Sequence, residues 1–173
     1  MPTAKLPYER ARRYADKIAA ALAPLCDRIE IAGSIRRKRP MCGDIDLVVL
    51  PQPGQAAAVR ARCKQRVHAV NIDGAINLQV VLLNMVKLDV FIARPAIDDL
   101  YDPRPSNWGS LLLMRTGSQR FNAWFAARAQ SMRTKWHPYD GIFRNSDCIA
   151  AATENDMFTA LKLNYIPPEA REK

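Results

Sequence analysis

Two aspartates stand one residue apart at the head of an apolar run, Gly43-Asp44-Ile45-Asp46-Leu47-Val48-Val49-Leu50. The short, continuous, β-branched stretch from Ile45 to Leu50 predicts a buried strand. Side chains two apart on a strand point the same way, so Asp44 and Asp46 converge on one side of the sheet. Carboxylates held that close repel each other and are stable as a pair chiefly with a cation between them. Hard oxygen ligands with no nearby Cys or His select Mg²⁺ or Mn²⁺ over zinc. Just upstream, Gly33-Ser34-Ile35-Arg36-Arg37 is a glycine-serine turn running into a basic cluster. Backbone N–H groups, a hydroxyl and guanidinium forks are suited to phosphate oxygens. A metal site beside a phosphate clamp suggests phosphoryl or nucleotidyl transfer. The plainer alternative is a capped strand next to a solvated charge run. The glycine-serine turn, the spacing and the apolar strand make that the weaker reading.

The 173 residues, 49% of them hydrophobic, are enough for one globular domain or two small subdomains. No apolar run approaches the roughly 18 to 20 residues of a membrane span, and the N-terminus lacks a secretory apolar region. Cys26, Cys42, Cys63 and Cys148 form no C-x-x-C and no set with the two histidines. They read as free thiols in a reducing compartment, with a cytoplasmic location expected. Net charge is +9, unevenly spread. Residues 1–40 carry ten Lys/Arg against four Asp/Glu, and residues 100–145 seven against two, while residues 41–99 balance at six each. Such basic surfaces suit a polyanion, nucleic acid before membrane.

In chain order, Pro7 to Ala23 has helical periodicity, with Tyr14, Ile18, Leu22 and Leu25 on one stripe. Strands are expected over Arg28 to Ala32 and Ile45 to Leu50, then a helix from Gln55 to Arg66. Val67 to Ile72 and Ala75 to Leu83 flank Asp73-Gly74, a hairpin turn pair. In the next strand, Val86 to Ile92, Asp89 points opposite to the apolar set. Beside the Asp-x-Asp pair it reads as a further metal ligand or a general base. A proline-rich polar stretch from Arg94 to Pro105 marks a boundary, dividing the chain at residues 1–100 and 101–173. Beyond it come a helix from Trp108 to Arg115 and a helix capped by Ser118, its stripe Phe121, Trp124, Phe125, Arg128 and Met132. A hairpin around Asp140-Gly141 follows, then a final helix opened by Thr153-x-x-Asp156. The class is α+β: a mixed sheet with helices, followed by a small helical and β-hairpin subdomain.

The stretch Gly-Ser-x-Arg-Arg … Gly-Asp-x-Asp resembles the nucleotidyltransferase signature, and its double arginine resembles DNA polymerase family X, the polymerase β-like enzymes. Lys87-Leu88-Asp89-Val90, Thr116-Gly117-Ser118 with Asn122, and the closing Tyr165-x-x-Pro168-x-x-Arg171 extend the resemblance from about Ile29 to Arg171. It implies a palm over residues 1–100 and a thumb-type nucleotide-binding subdomain over 101–173. The family's helix-hairpin-helix and lyase domains find no room here. It further implies a DNA polymerase, with DNA and dNTP as partners, acting as a monomer with two Mg²⁺ ions for which Mn²⁺ substitutes. Asp44, Asp46 and Asp89 take the catalytic and metal-binding positions. Gly33, Ser34, Arg37 and Gly43, with Thr116, Gly117, Ser118 and Asn122, take the nucleotide-binding ones, and Arg36 is a weaker phosphate candidate. Arg120 and Arg128 are DNA-binding candidates. Two departures are plain: Met114-Arg115 replaces an aromatic pair that crowds the sugar 2′ position, and Ala126 replaces a template-contacting arginine. The alternatives are a transferase of the same superfamily with an RNA, small-molecule or protein acceptor, and a non-catalytic nucleic-acid-binding relic.

Overall fold

The computed structural model describes residues 5–101 and 103–172, which pack into two compact units, Met1–Ile92 and Ala93–Lys173. The first unit runs β1 (Leu6–Pro7), α1 (Tyr8–Leu22), β2 (Cys26–Ile31), α2 (Gly33–Arg36), β3 (Met41–Cys42) and β4 (Asp44–Pro51). It continues through α3 (Ala56–Cys63), β5 (Val67–Asp73), β6 (Asn77–Leu82) and β7 (Lys87–Ile92). Five strands form one sheet in the order β2-β4-β7-β6-β5, with β4 and β7 parallel and the other neighbours antiparallel.

Period-two alternation decides which side chains meet the helices. Ile45, Leu47 and Val49 of β4, Leu88 and Val90 of β7, and Leu78 and Val80 of β6 are buried in one core. Full burial of such a side chain is worth roughly 1.5 to 3 kcal/mol, so a one-residue slip of β4 is strongly opposed. Alanines at 11 and 15 are fully buried, which lets α1 approach the sheet closely; Tyr14, Ile18 and Leu22 complete its apolar stripe. The opposite side of β4 and β7 carries Asp44, Asp46, Lys87 and Asp89, followed further along by the buried Val48 and Phe91.

Several boundaries differ from the sequence expectation, by one to three residues. Pro7 is the N-cap of α1 rather than a first-turn residue. The helix expected to Arg66 ends at Cys63, and Arg66 adopts a left-handed φ of 55°. The strand expected from Ala75 starts at Asn77. At the β5–β6 turn, Asp73 accepts from Arg60 and, at 2.9 Å, from Lys64, fastening the hairpin tip to the end of α3.

The second unit contains α4 (Trp108–Thr116), α5 (Gln119–Ser131), β8 (Lys135–His137), β9 (Gly141–Arg144), β10 (Asp147–Ala150) and α6 (Glu154–Ala160). Strands β8, β9 and β10 form an antiparallel sheet, so the expected hairpin gains a third strand. Phe121, Phe125, Trp136, Met157 and Phe158 are its core, with the Phe125 ring edge-on to Trp136 and Phe158 at 5.1 and 5.6 Å. Ser118 caps α5 by accepting from the Phe121 N–H, and Thr153 with Asp156 forms a capping box on α6.

Arg171 closes this unit. Its side chain is fully buried, donating to Glu154 Oε1 at 2.5 Å and to the Ile166 carbonyl at 2.8 Å. The rings of Phe121, Phe158 and Tyr165 surround the guanidinium at 5.3 to 5.4 Å. Among the described residues no helix is long and apolar enough to cross a membrane. The four cysteines are free, and burial pushes the Cys63 thiol up to about 12 and the Cys26 thiol to about 11.

Candidate active site

Parallel pairing of β4 with β7 places Asp46 opposite Asp89 and Asp44 opposite Lys87. Carboxylate oxygens of Asp44, Asp46 and Asp89 all lie within 4.8 Å of one another. The first two are half-buried, whereas Asp89 is 5% exposed. One ionic group, Lys87, holds two of them: its Nζ is 2.9 Å from Asp44 Oδ2 and 3.3 Å from Asp89 Oδ2. Burial disfavours the ammonium charge, but the hydrogen bond and charge of Asp44, reinforced by Asp89, prevail and raise the Lys87 pKa above its ordinary value. On the other side of Asp89, Gln79 donates Nε2–H to Oδ1 at 2.6 Å. Asn71 donates in turn to Gln79 Oε1 at 3.2 Å, which fixes the amide orientation across three neighbouring strands.

The glycine-serine turn is built against this group. Ala32 N–H donates to the Asp46 carbonyl at 2.8 Å, drawing the start of α2 onto β4. Gly33 has φ +59°, and a Cβ there would lie 2.0 Å from Asp46 Oδ2. Glycine is therefore required twice, for the left-handed backbone and for the room that the carboxylate takes. Ser34 Oγ is buried with no hydrogen-bond partner. Buried hydroxyls are nearly always paired, so an orphan at this point fits an incoming acceptor such as a phosphate oxygen. Arg36 lies 3.9 Å from Glu30, Arg37 is half-buried beside it, and Gly43 has open space where a side chain would stand.

The remaining sequence-derived candidates lie in the second unit. Thr116 is fully buried at the end of α4. A Cβ on Gly117 would meet Asn122 Oδ1 at 2.2 Å, and Asn122 donates to the Met114 carbonyl at 2.8 Å while its Oδ1 is buried without a partner. Thr-Gly-Ser-x-x-x-Asn is thus a self-supporting turn between two helices, with one amide oxygen buried and unpaired inside it. Arg115 donates to Tyr139 Oη at 2.5 Å and lies over its ring at 5.7 Å. Arg120 is exposed; Arg128 instead donates Nε–H to the Leu161 carbonyl at 3.2 Å, and Ala126 packs at the edge of the core.

Sequence reasoning did not single out Lys87, Gln79 or Tyr139. For Lys87 the signal was present, since a residue two before Asp89 shares its side of the strand. Gln79 and Tyr139 depend on long-range register and packing, for which the sequence carries no local mark.

Three hard oxygen donors around a place now held by an ammonium suit a hard divalent cation, and nothing in the donor set favours a soft one. Comparison with known proteins agrees with this architecture. Residues 111–172 match the family model of the DNA polymerase beta thumb. A Leishmania infantum polymerase beta, solved as a ternary P/T complex, superposes with a TM-score of 0.78 at 17% identity, covering 99% of this chain and 78% of that one. The same polymerase in a ternary gap complex gives 0.78 at 16% identity, covering 98% and 71%. No curated protein matches the chain.

Proposed function

We propose that this chain is a family X-like, metal-dependent DNA polymerase that adds nucleotides from dNTP to a primer 3′ end, a reading supported by the polymerase beta thumb match and by the likeness in fold. Short-gap repair synthesis is the expected setting. The observation that carries this reading is the convergence of Asp44, Asp46 and Asp89 on two neighbouring strands of that fold.

Asp44, Asp46 and Asp89 would hold two Mg²⁺ ions, or Mn²⁺ in their place. Bound divalent ions would neutralise charge on the attacking and leaving oxygens of an in-line displacement. The chain's own part is mostly positioning. Gly33 leaves space for the Asp46 carboxylate, and Gln79 fixes the rotamer of Asp89 through Oδ1. Asp89 Oδ2, which pairs with Lys87 in this structure, would face the acceptor and help take the 3′-hydroxyl proton once that ammonium has moved away. The buried Ser34 hydroxyl and the Arg37 guanidinium would hold β- and γ-phosphate oxygens, with Gly33 and Gly43 allowing close backbone approach. Thr116, Gly117, Ser118 and Asn122 would be the nucleotide-binding residues of the second unit. Arg120 remains the exposed candidate for DNA phosphate, and Arg128 would serve there only after giving up its bond to Leu161.

The direct test offers gapped DNA, primer-template DNA, single-stranded DNA and RNA primers, each with dNTPs or NTPs, in Mg²⁺ and in Mn²⁺. Extension of gapped or primed DNA with dNTP is the expected result. Extension of RNA alone, or of no polymer at all, would move the protein to another acceptor class.

A further inference from the structure

Lys87 occupies a position that the chemistry of the site does not require. Its ammonium is bound between Asp44 Oδ2 and Asp89 Oδ2, at 2.9 and 3.3 Å, on the side of the sheet where the three carboxylates meet. Its place is set by the backbone: Lys87 is the parallel-register partner of Asp44 and shares a strand side with Asp89. Three carboxylates whose oxygens lie within 4.8 Å of one another repel unless positive charge stands nearby. Lys87 supplies it from within the chain.

Taking the triad as the metal site proposed above, we infer that Lys87 is an internal counter-ion that competes with the divalent cation for Asp44 and Asp89. An ion bridging those two carboxylates uses the oxygen lone pairs that the ammonium now uses, and its double positive charge repels the ammonium at such range. Metal entry is therefore an exchange of one cation for another. The lysine keeps the site folded without metal and lowers metal affinity below what three bare carboxylates would give. Its flexible four-carbon stem, 28% exposed, provides the freedom to leave. Gln79 holds the opposite oxygen of Asp89 throughout, so the carboxylate stays oriented while its cation changes.

The experiment is Mn²⁺ binding by calorimetry and by thermal shift to wild type, Lys87→Met and Lys87→Arg, with circular dichroism as the check on folding. Lys87→Met should melt lower than wild type without metal, bind Mn²⁺ about tenfold or more tightly, and gain more from it in melting temperature. Lys87→Arg keeps the cation and should bind like wild type. Equal or weaker Mn²⁺ binding by folded Lys87→Met would overturn the inference, leaving the metal site itself in place. No Mn²⁺ binding by any of the three would remove the metal site and the inference together. Should Lys87→Met fail to fold, the wild-type chain still answers. Acylation of Lys87, followed by mass spectrometry, should accelerate when Mn²⁺ is added, and an unchanged rate means that the ammonium is not displaced.

Discussion

At Gly33 the backbone φ is +59°, and an added Cβ would stand 2.0 Å from Asp46 Oδ2. Gly33→Ala should therefore cost about 1 to 2 kcal/mol through the left-handed backbone alone. It should also push the Asp46 carboxylate away from Asp89. Urea denaturation will read the first effect and Mn²⁺ titration the second. Unchanged metal binding would mean that Asp46 is not a ligand. Asp89→Asn keeps the shape of the side chain and its contact with Gln79 but removes charge, so incorporation should fall by about a hundredfold or more. Its melting temperature without metal should change little, because relief of repulsion among the carboxylates is offset by loss of the ion pair with Lys87. Asp44 and Asp46 were legible in the sequence because strand periodicity is local. Asp89 became a candidate through the same periodicity together with the family resemblance. The orphan Ser34 hydroxyl was not legible, since lack of a partner is a property of packing.

Among the elements, the end of the chain has a structural role that its motif alone does not tell. Arg171 closes the Tyr-x-x-Pro-x-x-Arg pattern, and the structure buries it fully against Glu154 and three aromatic rings. Removing one partner of a buried pair typically costs about 3 to 5 kcal/mol, so Arg171→Ala should unfold the second unit at markedly lower denaturant. Replacing both partners, Arg171→Met with Glu154→Leu, should recover much of that loss. If Arg171→Ala left the denaturation midpoint unmoved, the pair would not be what closes the unit. Strand β10 was missed for a different reason: four residues beginning with aspartate show too little alternation to reveal a strand. The long helices α1 and α5 were readable because their apolar stripes recur over several turns, whereas the single turn of α2 was read only as a glycine-serine turn. Between β2 and the end of α3, Cys26 and Cys63 are held protonated, to about 11 and about 12. The unfolded thiols ionise near their ordinary value of 9, so above that pH the unfolded chain has lost protons that the folded one keeps. Stability should fall as pH rises from about 9 toward 11, measured as the urea midpoint. Both thiols should resist alkylation at pH 8 in the native protein and react in denaturant.

For the molecule as a whole, the α+β class and the polymerase beta fold were readable from a few short motifs in the right order, and their match to the structure is close. If the chain binds DNA as proposed, its net charge of +9 makes that association electrostatic in the first place. Each phosphate neutralised contributes about −0.9 to the slope of log affinity against log salt, so four such contacts cost roughly a hundredfold between about 50 and 200 mM. Fluorescence anisotropy across that range should show it, and an affinity insensitive to salt would mean that DNA is held by other means. Whether the three carboxylates make this fold a metal-dependent nucleotidyltransferase is tested most directly by single-turnover incorporation of a matched dNTP into gapped DNA, comparing wild type with Asp46→Asn from identical purifications. Wild type should incorporate in Mg²⁺ or Mn²⁺ and stop in EDTA, with Asp46→Asn at least about a hundredfold slower under every condition. Equal rates for the two proteins, or incorporation that survives EDTA, would contradict that role of the carboxylates.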